Sequence, residues 1–273
     1  MPLAGSTYHV GDLNDSQVLR DFLRGTDVVV NLAWPTCAEV APESFARYLA
    51  EACIETKVSR LIQVSTAMVV GRPCASCVDE STVPNPLTAY EKNKLAVEQQ
   101  LRASLDSQVD LAILRPTAVF GPGSKNLEQL ARRMLDWPLW ARHLQRFLYG
   151  KRNMHLVPVE HVVQAIEWLA QHPEPLRGEA FIIDADAHKA NHYQAIDELL
   201  APILGAPLVR STVHLPSPLL HLLLRVLRRS QDDPNMHICG NRLRRLGFAP
   251  KKNFEQAVIE YGQWYAQHGV GRS

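Results

Sequence analysis

The stretch Asp27-Val28-Val29-Val30-Asn31-Leu32 is a short apolar run in which hydrophobic and polar residues do not alternate. Such runs are typical of strands buried on both faces of a parallel sheet. Three further segments have a similar composition: Leu61-Ile62-Gln63-Val64, Leu111-Ala112-Ile113-Leu114 and Phe181-Ile182-Ile183. We also interpret Tyr8-His9-Val10 as a strand. Helical patterns separate these strands, and the alternation predicts an α/β fold.

The segments between the strands have the apolar spacing of amphipathic helices. Residues 15–24 place their apolar side chains on one face and are followed by Gly25, a natural C-terminal cap. Residues 45–53 form a second such stripe. A third helix is predicted to begin near Thr88, after the breaker run Pro84-Asn85-Pro86. Residues 157–170 predict a later helix.

A leucine-rich segment near the C-terminus, residues 216–229, carries arginines at its end. It is interpreted either as a helix that packs within a lobe or as an amphipathic helix at a membrane interface. The arginines at 242, 244 and 245 form too short a group to indicate a nucleic-acid surface.

The composition bounds the function. The chain has 273 residues, of which 46% are hydrophobic, and a net charge of +1. A sizeable core is therefore expected, and no overall field draws the protein to nucleic acid or anionic lipid. No signal-like leader or long apolar span is present, so we expect a cytoplasmic protein with a small-molecule partner.

The cysteines and histidines indicate no metal site. Cys37, Cys53 and Cys239 stand alone, and Cys74-Ala75-Ser76-Cys77 has no second cysteine pair to complete a zinc site. We interpret all of them as ordinary thiols in a reducing compartment. The histidines form no HExxH motif, and no G-x-S-x-G elbow indicates a hydrolase.

Tyr90 and Lys94 are four residues apart in the predicted third helix, so they lie on one face. A fixed ammonium favours the phenolate and lowers the pKa of a neighbouring tyrosine. Tyr90 could then exchange a proton with a substrate hydroxyl or carbonyl. The pair alone is a weak motif, so its context decides the interpretation.

That context is an ordered set of motifs along nearly the whole chain. With them the sequence resembles the extended short-chain dehydrogenases, the family of NAD-dependent sugar epimerases and dehydratases. The matching segments are Gly11-Asp12-Leu13, DVVVNLA at 27–33, VSTAMVVG at 64–71, Tyr90 with Lys94, LRPTAVFGPG at 114–123, HLVPVEHV at 155–162, LGF at 246–248 and GQWY at 262–265.

The resemblance implies a Rossmann-like parallel sheet with a smaller substrate-binding lobe. The sheet domain would comprise residues 1–122 and 155–185, and the lobe would comprise 123–154 and 186–273. It implies Tyr90 as general acid/base, Lys94 as the group that lowers the Tyr90 pKa and binds the nicotinamide ribose, and Thr66 as the holder of the substrate oxygen. The implied contacts to NAD or NADP are Asp12, Leu13, Leu32, Ala33, Ser65, Tyr90, Lys94, Pro116 and Thr117.

One part of the family pattern is missing. Dinucleotide binding needs a glycine-rich turn between the first strand and first helix, and this sequence contains no such turn. The family pattern starts at the third strand, so the fold is expected to be truncated at its N-terminus. The alternatives are an incomplete chain with the missing strands encoded upstream of Met1, a natural cofactor-poor relative, and a site completed by another polypeptide.

The substrate is left open between several classes. Ala118 stands where sugar epimerases and dehydratases often carry asparagine, which favours sterol-like or flavonoid-like carbonyls, but a nucleotide sugar remains the first hypothesis. The alternative hypothesis is a non-catalytic dinucleotide-fold protein with a binding or regulatory role, or an inactive fragment. A homodimer is compatible with the resemblance.

Overall fold

The computed structural model describes residues 5–34, 41–71, 77–210, 213–227 and 233–269. Strands and helices alternate through the first two thirds of the chain and helices dominate the last third. The strands are β1 (Val28–Asn31), β2 (Arg60–Val64), β3 (Cys77–Val78), β4 (Asp110–Pro116), β5 (Ala118–Phe120), β6 (Leu156–Pro158), β7 (Glu179–Ile183) and β8 (His237–Ile238). The helices are α1 (Ser16–Leu23), α2 (Pro42–Glu55), α3 (Ala89–Leu105), α4 (Lys125–Asp136), α5 (Leu139–Tyr149), α6 (Val159–Gln171), α7 (Tyr193–Leu204), α8 (Ser217–Val226), α9 (Arg242–Arg245) and α10 (Phe254–His268), with a 3-10 turn at Ala67–Val70.

The main sheet has four parallel strands in the order β1-β2-β4-β7. It contains all four apolar runs at 28–31, 61–64, 111–114 and 181–183, so the predicted α/β fold with a parallel sheet is confirmed. The two-stranded ladders β3–β8 and β5–β6 were not predicted, because each strand has only two or three residues.

The predicted strand at Tyr8-His9-Val10 is wrong. No strand is formed there, and the side chain of Val10 is fully exposed. Within the described residues β1 pairs with β2 alone, so residues 8–10 add no strand at its outer edge. A three-residue strand would form few ladder hydrogen bonds to offset the entropy of ordering it. Val30 of β1 is accordingly 38% exposed.

Helices cover both faces of the two central strands. Leu61, Leu111 and Ile113 contact the core formed with α1, α2 and α3. Ile62 and Leu114 face the opposite side, where they pack against α6 and the segment that follows it. Neighbouring residues of one strand are therefore buried on opposite faces, which explains why these runs do not alternate with polar residues.

The helix starts follow local capping chemistry. The carboxylate of Asp15 accepts hydrogen bonds from the backbone N–H groups of Gln17 and Val18 at the start of α1. At the start of α3, Thr88 Oγ1 accepts from Glu91 N and Glu91 Oε2 accepts from Thr88 N, which is a reciprocal capping box. The predicted helix start at Thr88 is confirmed.

A further core lies beyond the sheet, between α4, α7 and α10, where Phe120, Leu156 and Tyr261 are buried. The helix predicted over 157–170 begins two residues later, since Leu156–Pro158 pairs with β5. The leucine-rich helix α8 packs through Leu220 and Leu224. In the described ranges no helix is long and apolar enough to cross a membrane.

A buried ion pair joins α3 to β4. Arg115 donates to both carboxylate oxygens of Glu98, through Nε at 3.0 Å and Nη2 at 2.5 Å. The Glu98 side chain is 0% exposed and that of Arg115 is 4% exposed. The pair therefore holds the helix that carries Tyr90 and Lys94 against the strand that ends at Pro116.

We expect Glu98→Ala to lower the free energy of unfolding by about 3–5 kcal/mol, because it leaves the Arg115 guanidinium buried without its counter-charge. Urea unfolding of the two proteins measures this difference. The matched control is Glu128→Ala, which removes the partner of Arg132 from an exposed pair and should cost under about 1 kcal/mol. Equal losses in the two variants would contradict a special role for the buried pair.

Candidate active site

A cavity of about 440 Å³ opens at the carboxyl ends of β2 and β4, beside the first turn of α3. Ligands in open parallel sheets bind outside this edge of the strands. The residues that line the cavity are Val64, Ser65, Thr66, Ala67, Met68, Tyr90, Pro116, Thr117, Ala118, Val119, Asn126, Met154, His155 and Ile238. Five residues implied by the resemblance, namely Ser65, Thr66, Tyr90, Pro116 and Thr117, therefore share one cavity.

Thr66 and Tyr90 line the same cavity. Thr66 follows β2 and caps the 3-10 turn at Ala67–Val70, where its Oγ1 accepts from Met68 N at 3.2 Å. The phenol of Tyr90 is half-exposed at the cavity wall. Burial raises the pKa of Tyr90, and the neighbouring Thr66 hydroxyl lowers it by a smaller amount. The phenol is neutral at neutral pH.

Lys94 lies one turn behind Tyr90 and is buried. Its Nζ donates to the Val64 carbonyl oxygen at 3.4 Å and lies 4.5 Å from the centroid of the Trp34 ring. Burial lowers the pKa of Lys94, and the carboxylate of Glu98 raises it by less.

The role of Lys94 in lowering the Tyr90 pKa stays a prediction. In this structure burial is the main influence on the Tyr90 pKa and raises it. The Lys94 ammonium contacts the Val64 carbonyl and the Trp34 ring.

Trp34 is a site residue that sequence reasoning missed. It follows β1, and its ring meets that of Tyr90 edge to face with centroids 5.7 Å apart, in addition to its cation–π contact with Lys94. The available signal was its place just past the carboxyl end of a buried strand, where ligand-contacting residues concentrate.

Two hydroxyl groups in the cavity are buried without a partner. Ser65 Oγ and Thr117 Oγ1 form no hydrogen bond in the described structure, although both residues are under 10% exposed. Leaving a buried hydroxyl unpaired costs about 1–3 kcal/mol, so both groups are ready to bind a polar ligand.

Ser65 and Thr66 are adjacent in sequence, and both line the cavity. Neighbouring residues of a strand point to opposite faces. Both can line the cavity because β2 ends at Val64, so neither residue belongs to the pleated strand.

The remaining implied cofactor contacts, Asp12, Leu13, Leu32 and Ala33, do not line this cavity. Asp12 is exposed in the loop before α1, where its carboxylate accepts from Asn14. Leu13 is also exposed in that loop, Leu32 is 67% exposed just past β1, and Ala33 packs against the first core.

The described residues fit one end of a dinucleotide and not the other. Ser65, Thr117 and Lys94 offer polar groups for a nicotinamide ribose. The pyrophosphate normally binds backbone N–H groups at a helix N-terminus. The start of α1 is already capped by the Asp15 carboxylate, and the described residues hold no glycine-rich strand-to-helix turn.

His155, which lines the cavity, forms a second polar group with Asp186. His155 Nδ1 lies 2.5 Å from Asp186 Oδ2, and both side chains are buried. The same Asp186 oxygen accepts from Ile238 N at 2.8 Å. The carboxylate therefore orients both the imidazole and the segment that forms the opposite wall.

A second groove, of about 460 Å³, lies between α4 and α5. Its walls are mainly aromatic and aliphatic, with Trp137, Trp140 and Leu144 among them. Its lining does not combine a threonine, a tyrosine and a lysine as Thr66, Tyr90 and Lys94 do. The cavity at Tyr90 is therefore the better candidate for a catalytic site.

A parallel sheet with helices on both faces and a polar cavity at its carboxyl edge defines the class of Rossmann-like α/β proteins. Within that class, residues 2–183 match the family described as "Epimerase: NAD dependent epimerase/dehydratase family". The chain belongs to this family, which confirms the resemblance inferred from the motifs.

Among curated proteins, the chain is 28% identical to the UDP-glucose 4-epimerase of Vibrio cholerae over 234 residues, which cover 79% of this chain and 67% of that protein. Among solved structures, it resembles the Bordetella bronchiseptica enzyme WbmG in complex with NAD, with a TM-score of 0.70, 19% identity and coverage of 99% of this chain and 82% of that one. DesIV, a dTDP-glucose 4,6-dehydratase from Streptomyces venezuelae with NAD and DAU bound, matches with a TM-score of 0.68, 21% identity and coverage of 95% and 79%. At these identities the structural matches support the fold.

We expect Thr66→Val to raise the pKa of Tyr90 further, because it removes the hydroxyl that offsets part of the burial effect. Tyrosinate absorbance, titrated with pH and compared with a Tyr90→Phe protein, isolates this one phenol and should show it ionising at higher pH in T66V.

Thr117→Val is the matched control, since it removes another buried cavity hydroxyl that is not bonded to Tyr90. A Tyr90 titration that is unchanged in T66V, or shifted equally in T117V, would contradict the Thr66–Tyr90 coupling.

Proposed function

We propose that this protein is an NAD-dependent epimerase or dehydratase that acts on a hydroxyl or carbonyl carbon of a nucleotide sugar, with Thr66, Tyr90 and Lys94 as its catalytic residues. The observation that carries the proposal is that Thr66 and Tyr90 line one cavity at the carboxyl edge of the sheet, with Lys94 Nζ at the carbonyl of Val64 in its wall. Family membership supports the reaction class.

In the proposed mechanism Tyr90 moves the proton. Its raised pKa keeps the phenol protonated at neutral pH, so it is ready to donate to a developing alkoxide. The Thr66 hydroxyl holds the same substrate oxygen, since Thr66 lines the cavity together with Tyr90.

The reverse step, removal of a proton from a substrate hydroxyl, requires the phenolate. A nearby ammonium favours that form, and Lys94 is one helical turn away. Lys94 would supply this effect once it leaves the Val64 carbonyl and the Trp34 ring. NAD, when bound, supplies the acceptor and donor of the hydride.

The cavity suits a sugar more than a wholly apolar substrate. Its volume of about 440 Å³ lies in the range of small-molecule sites, and Asn126, His155 and Thr117 supply polar groups for hydroxyl recognition. The Vibrio cholerae relative is named for a nucleotide sugar, UDP-glucose, which supports the same substrate class here.

A non-catalytic dinucleotide-fold protein is the second candidate. It is favoured because the described residues contain no glycine-rich strand-to-helix turn to bind a pyrophosphate. The two candidates differ in whether NAD binds and whether a sugar is turned over.

We expect the purified chain, given NAD, to interconvert a UDP-hexose with its epimer or to dehydrate a dTDP-hexose, with products followed by NMR. Tyr90→Phe should lower kcat by about 10²–10⁴-fold, because the proton donor is lost.

The control is Tyr48→Phe, which removes a phenol from α2 that does not line the cavity. Turnover by Y90F at the wild-type rate would contradict the role of Tyr90. If the wild type turned over none of these UDP- and dTDP-hexoses, the non-catalytic binding function would be favoured.

We expect NADH binding to change the tryptophan fluorescence, because a ribose that takes the Lys94 ammonium separates it from the Trp34 ring. Trp34→Phe should remove most of the change. Trp140→Phe, in the exposed groove on α5, should leave it intact. Cofactor use would be contradicted if NADH up to about 1 mM gave neither a fluorescence change nor heat of binding in calorimetry.

A further inference from the structure

Two cysteines that are 162 positions apart meet beside the candidate site. The Sγ atoms of Cys77 and Cys239 lie 2.7 Å from each other. Cys77 opens β3 and Cys239 follows β8, and these two strands pair in parallel with Val78 opposite Ile238. Cys239 N also donates to the Val78 carbonyl at 2.8 Å, so the backbone itself holds the two thiols together.

The two thiols differ in access. Cys77 is exposed, whereas Cys239 is partly buried. Burial, followed by the contact with Cys77 and the charges of Asp184 and Asp186, raises the pKa of Cys239. The thiolate is the attacking form of a cysteine, and the raised pKa disfavours it at Cys239. We therefore expect an external reagent to react first with the exposed Cys77.

We propose that Cys77 and Cys239 form a reversible disulfide that covalently clamps one wall of the candidate active site. The oxidant is a low-molecular-weight disulfide. The Cys77 thiolate attacks one of its sulfurs, forms a mixed disulfide and releases one small thiol. Cys239 then attacks the Cys77 sulfur and releases the second small thiol, so the two protein thiol protons end on the two released thiols.

The clamp acts on the cavity through its neighbours. Ile238, next to Cys239, lines the cavity, and its N–H donates to the carboxylate of Asp186 that also orients His155. Just after β3, Glu80 accepts from the backbone N–H groups of Asn241 and Arg242. A covalent bond here fixes segments that already contact each other, so it requires little rearrangement.

The inference does not depend on the proposed catalytic function, because its readout is covalent. The test uses the full chain carrying Cys37→Ser and Cys74→Ser, which retains Cys53, Cys77 and Cys239. It is equilibrated with oxidised glutathione, unreacted thiols are alkylated, and a non-reducing tryptic digest is analysed by mass spectrometry. The expected product links the peptide of residues 61–92 to that of residues 230–242, with Cys53 alkylated after unfolding.

Denatured thiol titration should fall from three thiols to one in this protein and return to three after dithiothreitol. Cys239→Ser in the same background should instead hold glutathione on Cys77 as a stable adduct. The natural five-cysteine chain should give the same cross-link, which shows that Cys74 does not replace Cys239 as the partner.

A thermal melt gives a second readout. Because the bond closes a loop of about 160 residues, oxidation should raise the Tm by roughly 5–10 °C, and C239S should lose this shift. Alkylated Cys77 and Cys239 after oxidation, a stable glutathione adduct on Cys77 while Cys239 is present, or a Cys74–Cys77 bond in the natural chain would each overturn the proposal.

Discussion

The bidentate ion pair between Glu98 and Arg115 is the contact on which the candidate site depends. Glu98 lies one turn beyond Lys94 on α3, and Arg115 directly precedes Pro116 and Thr117 at the end of β4. The pair therefore sets the distance between the helix that supplies the phenol and ammonium and the strand end that supplies the opposite wall. Its carboxylate also favours the charged form of Lys94 against the effect of burial. One buried interaction thus contributes to both the geometry and the electrostatics of the cavity.

The outer edge of β1 is unpaired within the residues that the structure describes. Its backbone pairs on one side only, Val30 is partly exposed, and residues 8–10 form no strand beside it. An unpaired edge leaves polar backbone groups without partners, and natural sheets usually cover it. Trp34 follows this strand and contacts both Tyr90 and Lys94, so the state of the edge is coupled directly to the catalytic candidates.

The charges and pKa directions at the site are those of the protein without a ligand. Burial raises the pKa of Tyr90, whose phenol is neutral at neutral pH, and the Lys94 ammonium contacts a carbonyl and an aromatic face. The unpaired hydroxyls of Ser65 and Thr117 lie beside this arrangement. A polar ligand could form hydrogen bonds or ion pairs with these groups. Such interactions are stronger in a desolvated cavity than in water.

Much of the fold followed from local patterns. The sequence by itself determined the main parallel strands, the helix starts at Asp15 and Thr88, and the placing of Tyr90 and Lys94 on one helical face. These features depend on residues within a few positions of one another. The ordered motifs also determined the family, although the roles of the individual site residues stay predictions.

Only the tertiary structure decided which distant side chains meet. Trp34 reaches Lys94, Asp186 orients His155, and Cys77 lies against Cys239 because strands far apart in sequence end at the same edge or pair in short ladders. Tertiary structure also decided that residues 8–10 form no strand and that both Ser65 and Thr66 line the cavity. Strand pairing and strand ends are set by long-range hydrogen bonds, which leave no periodic signal in so few residues.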